Sequence, residues 1–357
     1  MRTTFRVASV AMTAVAALAL ASCLGGGGNG EESTGEAGGE AAATEDGGGG
    51  VAAGGTAMRL AHNQTETHPT DIALKDMGTA LADGTEGRWS IEVFPNATLG
   101  DQGEYIQSVS SGVIDMAIVS APQLENLNKD FVIFSLPTVF DSIDTQMAAA
   151  TDLDKVGEIY ASLEASNNIT VVGPFTQGER SIYTKDGPVQ TPADVEGKKI
   201  RVQEAPVFIS MINALGGSPT PMAYSEVYTG LQSGVIDGAE NNEISYQTQK
   251  HFEVAPYYSY TRHLVGADFL IINTNVLNSM TEEDRAAFDE AWTGAWEQHT
   301  ELWKEQTQAA IADAEAGGAT FSEVDAEAFN EALKPLLDEF LTTPEQQALL
   351  EVLQSGQ

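Results

Sequence analysis

The pentapeptide Ser-Gly-Val-Ile-Asp occupies residues 111–115 and returns unchanged at residues 233–237. A helix-length segment precedes each copy, and Glu104 and Glu226 stand at the same offset upstream. The glycine suits the end of a helix, and the apolar residues after it suit a buried strand. The repeat predicts one helix–glycine–strand unit used once in each of two α/β lobes, which implies a crevice between them. Chance recurrence within two common helix–strand turns is the alternative.

The segments around the first copy have the pattern of a parallel α/β sheet. Residues 57–62 and 89–94 have the composition of strands, and residues 70–82 between them place apolar side chains at helical spacing. Strand, helix and strand in this order favour a parallel sheet. Asp101 and Glu104 have the spacing of a capping box. Further strands are predicted at residues 169–175, 181–184, 199–202 and 269–273.

A long helix is predicted near the end of the chain. Residues 282–316 contain no proline and a single internal glycine, Gly294. At 1.5 Å per residue a continuous helix here would run about 50 Å, which is longer than one small lobe. We therefore expect it to brace both lobes. Shorter helical segments are predicted at residues 326–341 and 344–353.

The beginning of the chain has the composition of an export and anchoring segment. Arg2 and Arg6 precede an apolar stretch, and residues 1–22 are predicted to be a secretory signal peptide. The Leu-Ala-Ser-Cys sequence that ends at Cys23 resembles the lipobox of bacterial lipoproteins, in which the cysteine is acylated. An ordinary signal peptide with a chance cysteine is the alternative. Residues 23–56 are then a lipidated cysteine and a Gly-rich disordered tether. Since the chain has no other cysteine, an intrachain disulfide is excluded.

The net charge limits the classes of partner. The chain has 17 Lys and Arg against 52 Asp and Glu, which gives a formal net charge of −35. This argues against nucleic acid and against an anionic membrane surface as partners. A small anionic ligand is compatible with it, because surface charge is screened beyond about 8 Å while a buried arginine acts at contact range.

Sequence motifs of common catalytic sites are missing from the chain. It has no Gly-x-Ser-x-Gly elbow, no His-Glu-x-x-His sequence and no Walker A sequence. We therefore predict neither an enzyme nor a cofactor or metal site, and a secreted enzyme acting on sugar acids is the alternative from another class. The histidines lack metal-ligand spacing, and surface or packing roles are expected for His62, His68, His251, His263 and His299.

Three stretches place arginine, aromatic and amide side chains near predicted strand ends. Residues 178–181 read Gly-Glu-Arg-Ser, and residues 194–202 end in Lys-Lys-Ile-Arg-Val. Residues 218–228 read Ser-Pro-Thr-Pro-Met-Ala-Tyr-Ser-Glu-Val-Tyr and lead to Asp-Gly-Ala-Glu-Asn-Asn at residues 237–242. In order and spacing these motifs resemble the DctP-type solute receptors of tripartite ATP-independent periplasmic (TRAP) transporters. The resemblance covers residues 58–340.

The resemblance implies an architecture and partners. The fold would be α/β and two-lobed, of the periplasmic-binding-protein type, with a hinge and a long helix bracing both lobes. Lobe I would be residues 57–177 plus 267–306, and lobe II residues 178–266 plus 307–357. Integral membrane subunits of a TRAP transporter would be the partners of this lipid-anchored, extracytoplasmic protein. A receptor for an ABC importer or a sensor kinase would share the lobes and the anchor, and is the alternative.

The resemblance also implies ligand-binding residues. In the family, the arginine of the Lys-Ile-Arg-Val strand forms a two-point salt bridge with the ligand carboxylate, which implies this role for Arg201. A structural ion pair with one of the chain's own acids is the alternative for Arg201. Further ligand contacts are implied for Arg180, Asn241, Tyr224, Asn63, Gln203 and Ser120.

One departure from the family pattern bears on the ligand. Many members have proline after the Glu-Asn pair, where this chain has Asn242. The Asn-Asn version, followed by Ser245 and Tyr246, resembles members associated with sugar acids such as uronates. We therefore expect a small organic carboxylate, in the first place a uronate. A four-carbon dicarboxylate or an oxo acid is the alternative ligand.

Overall fold

The computed structural model describes residues 55–354, which form a mixed α/β arrangement around one nine-stranded sheet. The predicted signal peptide, Cys23 and nearly all of the predicted tether lie outside these residues. Thr56, which the tether prediction included, begins the first strand. Within the described residues, every helix is too short or too polar to cross a membrane.

Strands and helices alternate along most of the chain. The strands are β1 (Thr56–Ala61), β2 (Trp89–Phe94), β3 (Met116–Ser120), β4 (Ile169–Thr184), β5 (Lys199–Val202), β6 (Ser218–Pro221), β7 (Gly238–Asn241), β8 (Tyr257–Asn273) and β9 (Thr320–Ser322). The α-helices are α1 (Pro69–Gly84), α2 (Gln102–Ser111), α3 (Ala121–Glu125), α4 (Ile143–Ala150), α5 (Leu153–Ala161), α6 (Glu164–Asn167), α7 (Pro206–Ala214), α8 (Val227–Ser233), α9 (Glu243–Thr248), α10 (Thr274–Asn278), α11 (Glu282–Ala316), α12 (Ala326–Leu333), α13 (Pro335–Phe340) and α14 (Pro344–Gln354). Short 3-10 helices lie at Lys129–Ser135, Pro192–Val195, Tyr224–Glu226 and His251–Glu253.

The sheet consists of two groups of parallel strands joined by two long antiparallel strands. Its order is β2-β1-β3-β8-β4-β7-β5-β6, with β9 paired to β8. β1 is parallel to β2 and β3, and β5 is parallel to β6 and β7. β4 and β8 pair with each other and pass from the first group to the second. The predicted two-lobed α/β fold is therefore confirmed.

Two of the three predicted lobe boundaries fall within the two long strands, and the third, between residues 306 and 307, falls within α11. Residues 177 and 178 lie in β4, at a register irregularity between Thr176 and Glu179. Residues 266 and 267 lie in β8. Irregular pairing bends a strand and weakens its ladder, which suits a boundary between lobes. The boundary positions themselves stay a prediction.

The repeated pentapeptide has the same structure in both copies. α2 ends at Gly112 with φ of 75°, and α8 ends at Gly234 with φ of 76°, the left-handed conformation that glycine adopts readily. In the first copy the carboxylate of Asp115 accepts the Arg59 backbone N–H at 2.7 Å. In the second, Asp237 accepts the Lys199 N–H at 2.8 Å. Each aspartate therefore accepts a hydrogen bond from a backbone N–H of the neighbouring parallel strand. This shared contact explains why both copies of the repeat end in aspartate.

The helix upstream of each copy begins differently. Asp101 and Glu104 form the predicted capping box at the start of α2. Glu226, at the matching offset, lies in the 3-10 turn that precedes α8. The repeat therefore extends from the helix end into the strand, and the two helix beginnings are unrelated.

The predicted long helix is continuous. α11 has 35 residues, which corresponds to about 52 Å, and it contacts α1 beside the first strand group and α9 beside the second. Two of its tryptophans, Trp292 and Trp303, lie against glycines of β4. A Cβ atom at Gly173 or Gly178 would overlap the indole that faces it. The glycines therefore allow the long helix to approach the sheet closely.

Four predicted elements have clearly different limits in the structure. The strands predicted at residues 169–175 and 181–184 are one strand, β4, because its polar middle is buried and hydrogen-bonded rather than looped out. The strand predicted at residues 269–273 is the end of β8, which begins at Tyr257. The helix predicted at residues 326–341 is two helices, since Pro335 cannot continue the first.

Candidate ligand-binding site

A cavity lies where the carboxyl ends of the parallel strands of both groups meet. It contains about 670 Å³ that protein atoms do not fill, its open mouth included. Strands β1, β3, β5 and β7 each deliver a lining residue at or just after their ends, and ligands of open α/β sheets bind at such ends. The structure brings all seven residues predicted to bind ligand to the cavity wall: Asn63, Ser120, Arg180, Arg201, Gln203, Tyr224 and Asn241.

Arg201 contributes a buried cation that lacks an acidic partner. It is 4% exposed, and its Nε and Nη2 donate to the Met222 carbonyl at 3.0 and 2.7 Å. Its guanidinium lies 5.8 Å from the centre of the Tyr224 ring. Within residues 55–354, no carboxylate forms a salt bridge with Arg201 and no residue accepts a hydrogen bond from its Nη1. Burial lowers the pKa of Arg201, as expected for a charge removed from water without full compensation.

Arg180 also lines the cavity, but its donors are used within the protein. Its Nε and Nη2 donate to the two carboxylate oxygens of Glu240, each at 2.7 Å, and Nη2 also donates to the Glu240 carbonyl. Its Nη1 donates to Gln177 at 2.7 Å and to Asn241 at 2.9 Å. These contacts use all five guanidinium N–H groups. The two arginines of the cavity therefore differ: Arg180 is neutralised and Arg201 is not.

The neighbours of Glu240 keep its carboxyl group in the charged form. Burial alone would raise the pKa of this carboxyl group, but Arg180 and His263 lower the pKa to about 2. For Arg180, burial acts to lower the pKa, and the neighbouring Glu240 outweighs it. Both groups are therefore charged at neutral pH and compensate each other.

Asn241 presents its amide nitrogen to the cavity. Its Oδ1 accepts from Arg180 at 2.9 Å and from the backbone and side chain of Asn242 at 2.9 and 3.0 Å. No described residue accepts a hydrogen bond from its Nδ2, which leaves that donor for a bound molecule. Asn242 itself caps α9 by accepting the Ser245 N–H at 2.8 Å. Asparagine is among the residues preferred at that position, which explains the Asn-Asn pair structurally.

Ser120, Gln177 and Asp268 form a hydrogen-bonded group on the wall. The Nε2 of Gln177 donates to Ser120 Oγ at 3.1 Å and to the Asp268 carboxylate. Gln102 approaches from α2, accepting the Ser120 N–H at 2.9 Å and donating to its hydroxyl at 3.2 Å. Asp268 is 4% exposed, and burial raises the pKa of its carboxyl group. The wall therefore carries a positioned acid as well as a cation.

His68 and Trp303 close another side of the cavity. The Nδ1 of His68 accepts the Thr70 N–H at 3.2 Å, so the proton of the neutral ring is on Nε2, 3.4 Å from Ser245 Oγ. Burial lowers the pKa of His68 well below its usual value, which keeps the ring neutral. Its ring contacts Trp303 edge-on at 5.5 Å. All five histidines are buried, and those other than His68 lie away from the cavity lining.

The sequence analysis did not identify several residues that line the cavity: Gln102, Gln177, His68, Asp268 and Trp303. Gln177 directly precedes the Gly-Glu-Arg-Ser stretch, and that adjacency is a signal that could have found it. Within residues 55–354, no group of three or more His, Cys, Asp and Glu side chains is placed to hold a metal ion.

Comparison with known proteins assigns the chain to a family. Residues 60–343 match the family described as bacterial extracellular solute-binding protein, family 7. The chain belongs to this family of TRAP solute-binding proteins. Membership implies a small carboxylate ligand, a periplasmic or equivalent extracytoplasmic location and membrane transporter subunits as partners. The predicted resemblance is thereby confirmed.

The chain is similar in sequence to other solute-binding proteins and similar in structure to solved members of the family. A solute-binding protein from Chromohalobacter salexigens is 38% identical over 82% of this chain and 87% of its own length. A TRAP solute-binding protein from Anaerococcus prevotii, solved with bound D-glucuronate, is 36% identical, with a TM-score of 0.81 over 84% of this chain and 97% of that one. One from a Sulfitobacter species, solved with β-D-galacturonate, is 31% identical, with a TM-score of 0.79 over 84% and 99%.

Proposed function

We propose that this protein captures a hexuronate, such as D-glucuronate or D-galacturonate, and delivers it to a TRAP transporter. The observation that carries the proposal is the buried guanidinium of Arg201, which lines the cavity and forms no salt bridge with any acid in residues 55–354. A guanidinium in this setting matches the geometry and charge of a carboxylate. The uronates bound in the two similar structures support the choice of sugar acid.

The charge of the cavity wall favours one carboxylate over two. Among the described residues that line it, the arginines are Arg180 and Arg201, and Arg180 is compensated by Glu240. A second ligand carboxylate would therefore find no free cation, and would lie in a wall that already contains Asp268. The neutral donors and acceptors of Asn241, Gln177 and their neighbours suit hydroxyl groups instead.

Binding would proceed by closure of the lobes around the anion. The open crevice admits the uronate, Arg201 binds its carboxylate, and the amide and hydroxyl groups bind the sugar ring. Closure removes water, which strengthens the ion pair while both charges lose hydration. The ligand drives closure only to the extent that it binds the closed form more tightly than the open form.

We also propose that the protein is anchored to the membrane and that it binds its ligand without converting it. Acylation at Cys23 and the tether of residues 23–56 would keep the protein near the membrane subunits. Metabolic labelling with an alkyne fatty acid should mark the wild type and leave Cys23→Ala unmarked. Equal labelling of both would contradict the anchor. Incubation with uronates should return the sugar acid unchanged, and a new product would contradict the binding role.

A thermal-shift panel tests the ligand class. The panel contains D-glucuronate, D-galacturonate, D-gluconate, succinate and a 2-oxo acid, each in excess over protein. A true ligand at about one hundred times its dissociation constant adds about 2.7 kcal/mol to the free energy of unfolding. We expect the uronates to raise the melting temperature most. A shift with succinate and none with either uronate would contradict the proposal.

A further inference from the structure

Asp268 is an unusual residue for the wall of an anion-binding cavity. It lies in β8, opposite Ser120 of β3, and is 4% exposed. Within residues 55–354, no Lys, Arg or His forms a salt bridge with its carboxylate. A buried carboxylate without an ion-pair partner is costly unless hydrogen bonds satisfy it. Its presence in a site that must accept an anion therefore needs a reason.

The position of the Asp268 carboxylate is set by a chain of hydrogen bonds from the buried ion pair. Glu240 orients Arg180, and Arg180 Nη1 donates to Gln177 Oε1 at 2.7 Å. This contact fixes the Gln177 amide so that its Nε2 faces Ser120 and Asp268. A carboxylate has about four acceptor positions, and Gln177 and Ser120 are the partners found for this one. Acceptor capacity therefore remains on the cavity side.

Arg201 and Asp268 are buried charged groups of the cavity wall that form no salt bridge with a described residue, and they come from different strand groups. Arg201 lies in β5 of the second group, and Asp268 lies beside β3 of the first. The Arg201 cation and the Asp268 carboxylate, which accepts hydrogen bonds, lie on separate parts of one wall. Together they match a ligand with a carboxylate at one end and hydroxyl donors at the other. A ligand with carboxylates at both ends matches only the cation.

We propose that Asp268 determines the ligand class, by accepting hydroxyl hydrogen bonds from the sugar and repelling molecules with a second carboxylate. This inference rests on the proposed uronate function and adds the residue that discriminates. Selectivity then arises from an unfavourable contact with the wrong ligand as much as from a favourable one with the right ligand. Glu240 is excluded from this role because Arg180 neutralises it.

Calorimetric titration with matched sugar acids tests the proposal. D-Gluconate and D-glucarate share an open carbon chain and differ in one terminal group, a hydroxyl or a second carboxylate, and D-glucuronate is the reference ligand. Asp268→Asn keeps the shape and removes the charge. We expect the variant to bind D-glucarate at least about tenfold more tightly than the wild type does, with a smaller change for D-gluconate.

A control variant tests whether the effect comes from the Asp268 carboxylate itself or from the overall negative charge near the cavity. Glu204 is exposed at the cavity rim, and Glu204→Gln removes the same charge without touching the buried wall. The glucarate-to-gluconate affinity ratio should stay at the wild-type value in this control. Circular dichroism melts of both variants establish that each is folded.

The outcomes distinguish this inference from the function on which it rests. If the wild type binds no uronate, the proposed function is wrong. If the wild type binds D-glucuronate but folded Asp268→Asn has an unchanged glucarate-to-gluconate ratio, the role of Asp268 alone is overturned. An equal rise of that ratio in Glu204→Gln would also overturn it, since the effect would then be general charge.

Discussion

Arg180 and Glu240 form a two-point ion pair inside the protein, with both N–O distances at 2.7 Å. The pair stands beside a second buried arginine, Arg201, which has no such partner among the described residues. The two arginines of the cavity therefore differ in their partners. Arg180 is neutralised by an acid of the protein, and we propose that Arg201 binds the carboxylate of the ligand.

Replacement of Arg201 should weaken ligand binding without unfolding the protein. Arg201→Ala should lower uronate affinity by at least about tenfold, or 1.4 kcal/mol. Arg201→Lys should recover only part of it, because an ammonium group cannot form the two-point contact. Arg262→Ala, which removes an exposed arginine paired with Glu179, is the control and should leave affinity unchanged. Calorimetry showing wild-type affinity in Arg201→Ala would reject this residue as the anchor.

Breaking the Arg180–Glu240 pair should destabilise the fold. Arg180→Met or Glu240→Gln alone should lower the free energy of unfolding by about 3–5 kcal/mol, because each leaves a buried partner uncompensated. Combining Arg180→Met with Glu240→Leu should recover a large part of that loss, since both charges of the pair are then removed together. Urea denaturation measures both effects. A loss below about 1 kcal/mol in the single variants would mean that the pair behaves like a surface contact.

Glu125 should make stability depend on pH. Its side chain is 6% exposed, and its Oε2 has no hydrogen-bond partner among residues 55–354. Burial raises the pKa of its carboxyl group from 4.5 to about 7, although a hydrogen bond from the Val207 backbone acts to lower it. The native state therefore binds the proton more tightly than the unfolded state, and the associated stability is lost as the pH rises from about 4.5 through about 7.

The variant Glu125→Gln tests this linkage. It should raise the free energy of unfolding by about 1–3 kcal/mol at about pH 8 and change it little at about pH 5. Denaturant titrations at the two pH values measure the difference. Equal effects at both would show that the carboxyl group does not titrate in this range.

Gly178 should couple the long helix to the cavity. It has φ of +60°, and a Cβ atom there would overlap the Trp303 indole, which lines the site. Gly178→Ala should therefore lower both stability and uronate affinity. Gly197→Ala is the matched control, because Gly197 has φ of +72° and no atom within 4 Å of its would-be Cβ. If Gly197→Ala weakens binding as much as Gly178→Ala, backbone strain rather than Trp303 is responsible.

Local patterns predicted much of the fold. Residue propensity and hydrophobic periodicity were sufficient to predict the repeated pentapeptide, its glycine caps and α11, because these features depend on neighbours within a few residues. β4 and β8 were predicted only in part. Their middle sections carry polar residues whose partners, such as Gln146 for Thr176, lie far away in sequence. No local pattern distinguishes such a segment from a loop.

The site was predictable where the family motif reaches, and less so beyond it. The motif led to Arg201 and Asn241, which the structure places on one cavity wall. It could not separate the tasks of Arg201 and Arg180, because that difference depends on Glu240, which is 60 residues from Arg180. Asp268 and His68 reach the cavity through tertiary packing, and their neighbours in the sequence give no indication of it.

The central claim is that Arg201 binds the carboxylate of a sugar acid, and a crystal structure of the protein grown with D-glucuronate tests it most directly. We expect both carboxylate oxygens of the bound uronate to lie about 2.7–2.9 Å from guanidinium nitrogens of Arg201. A uronate whose carboxylate lies elsewhere in the cavity, with Arg201 contacting only hydroxyl groups or solvent, would contradict it.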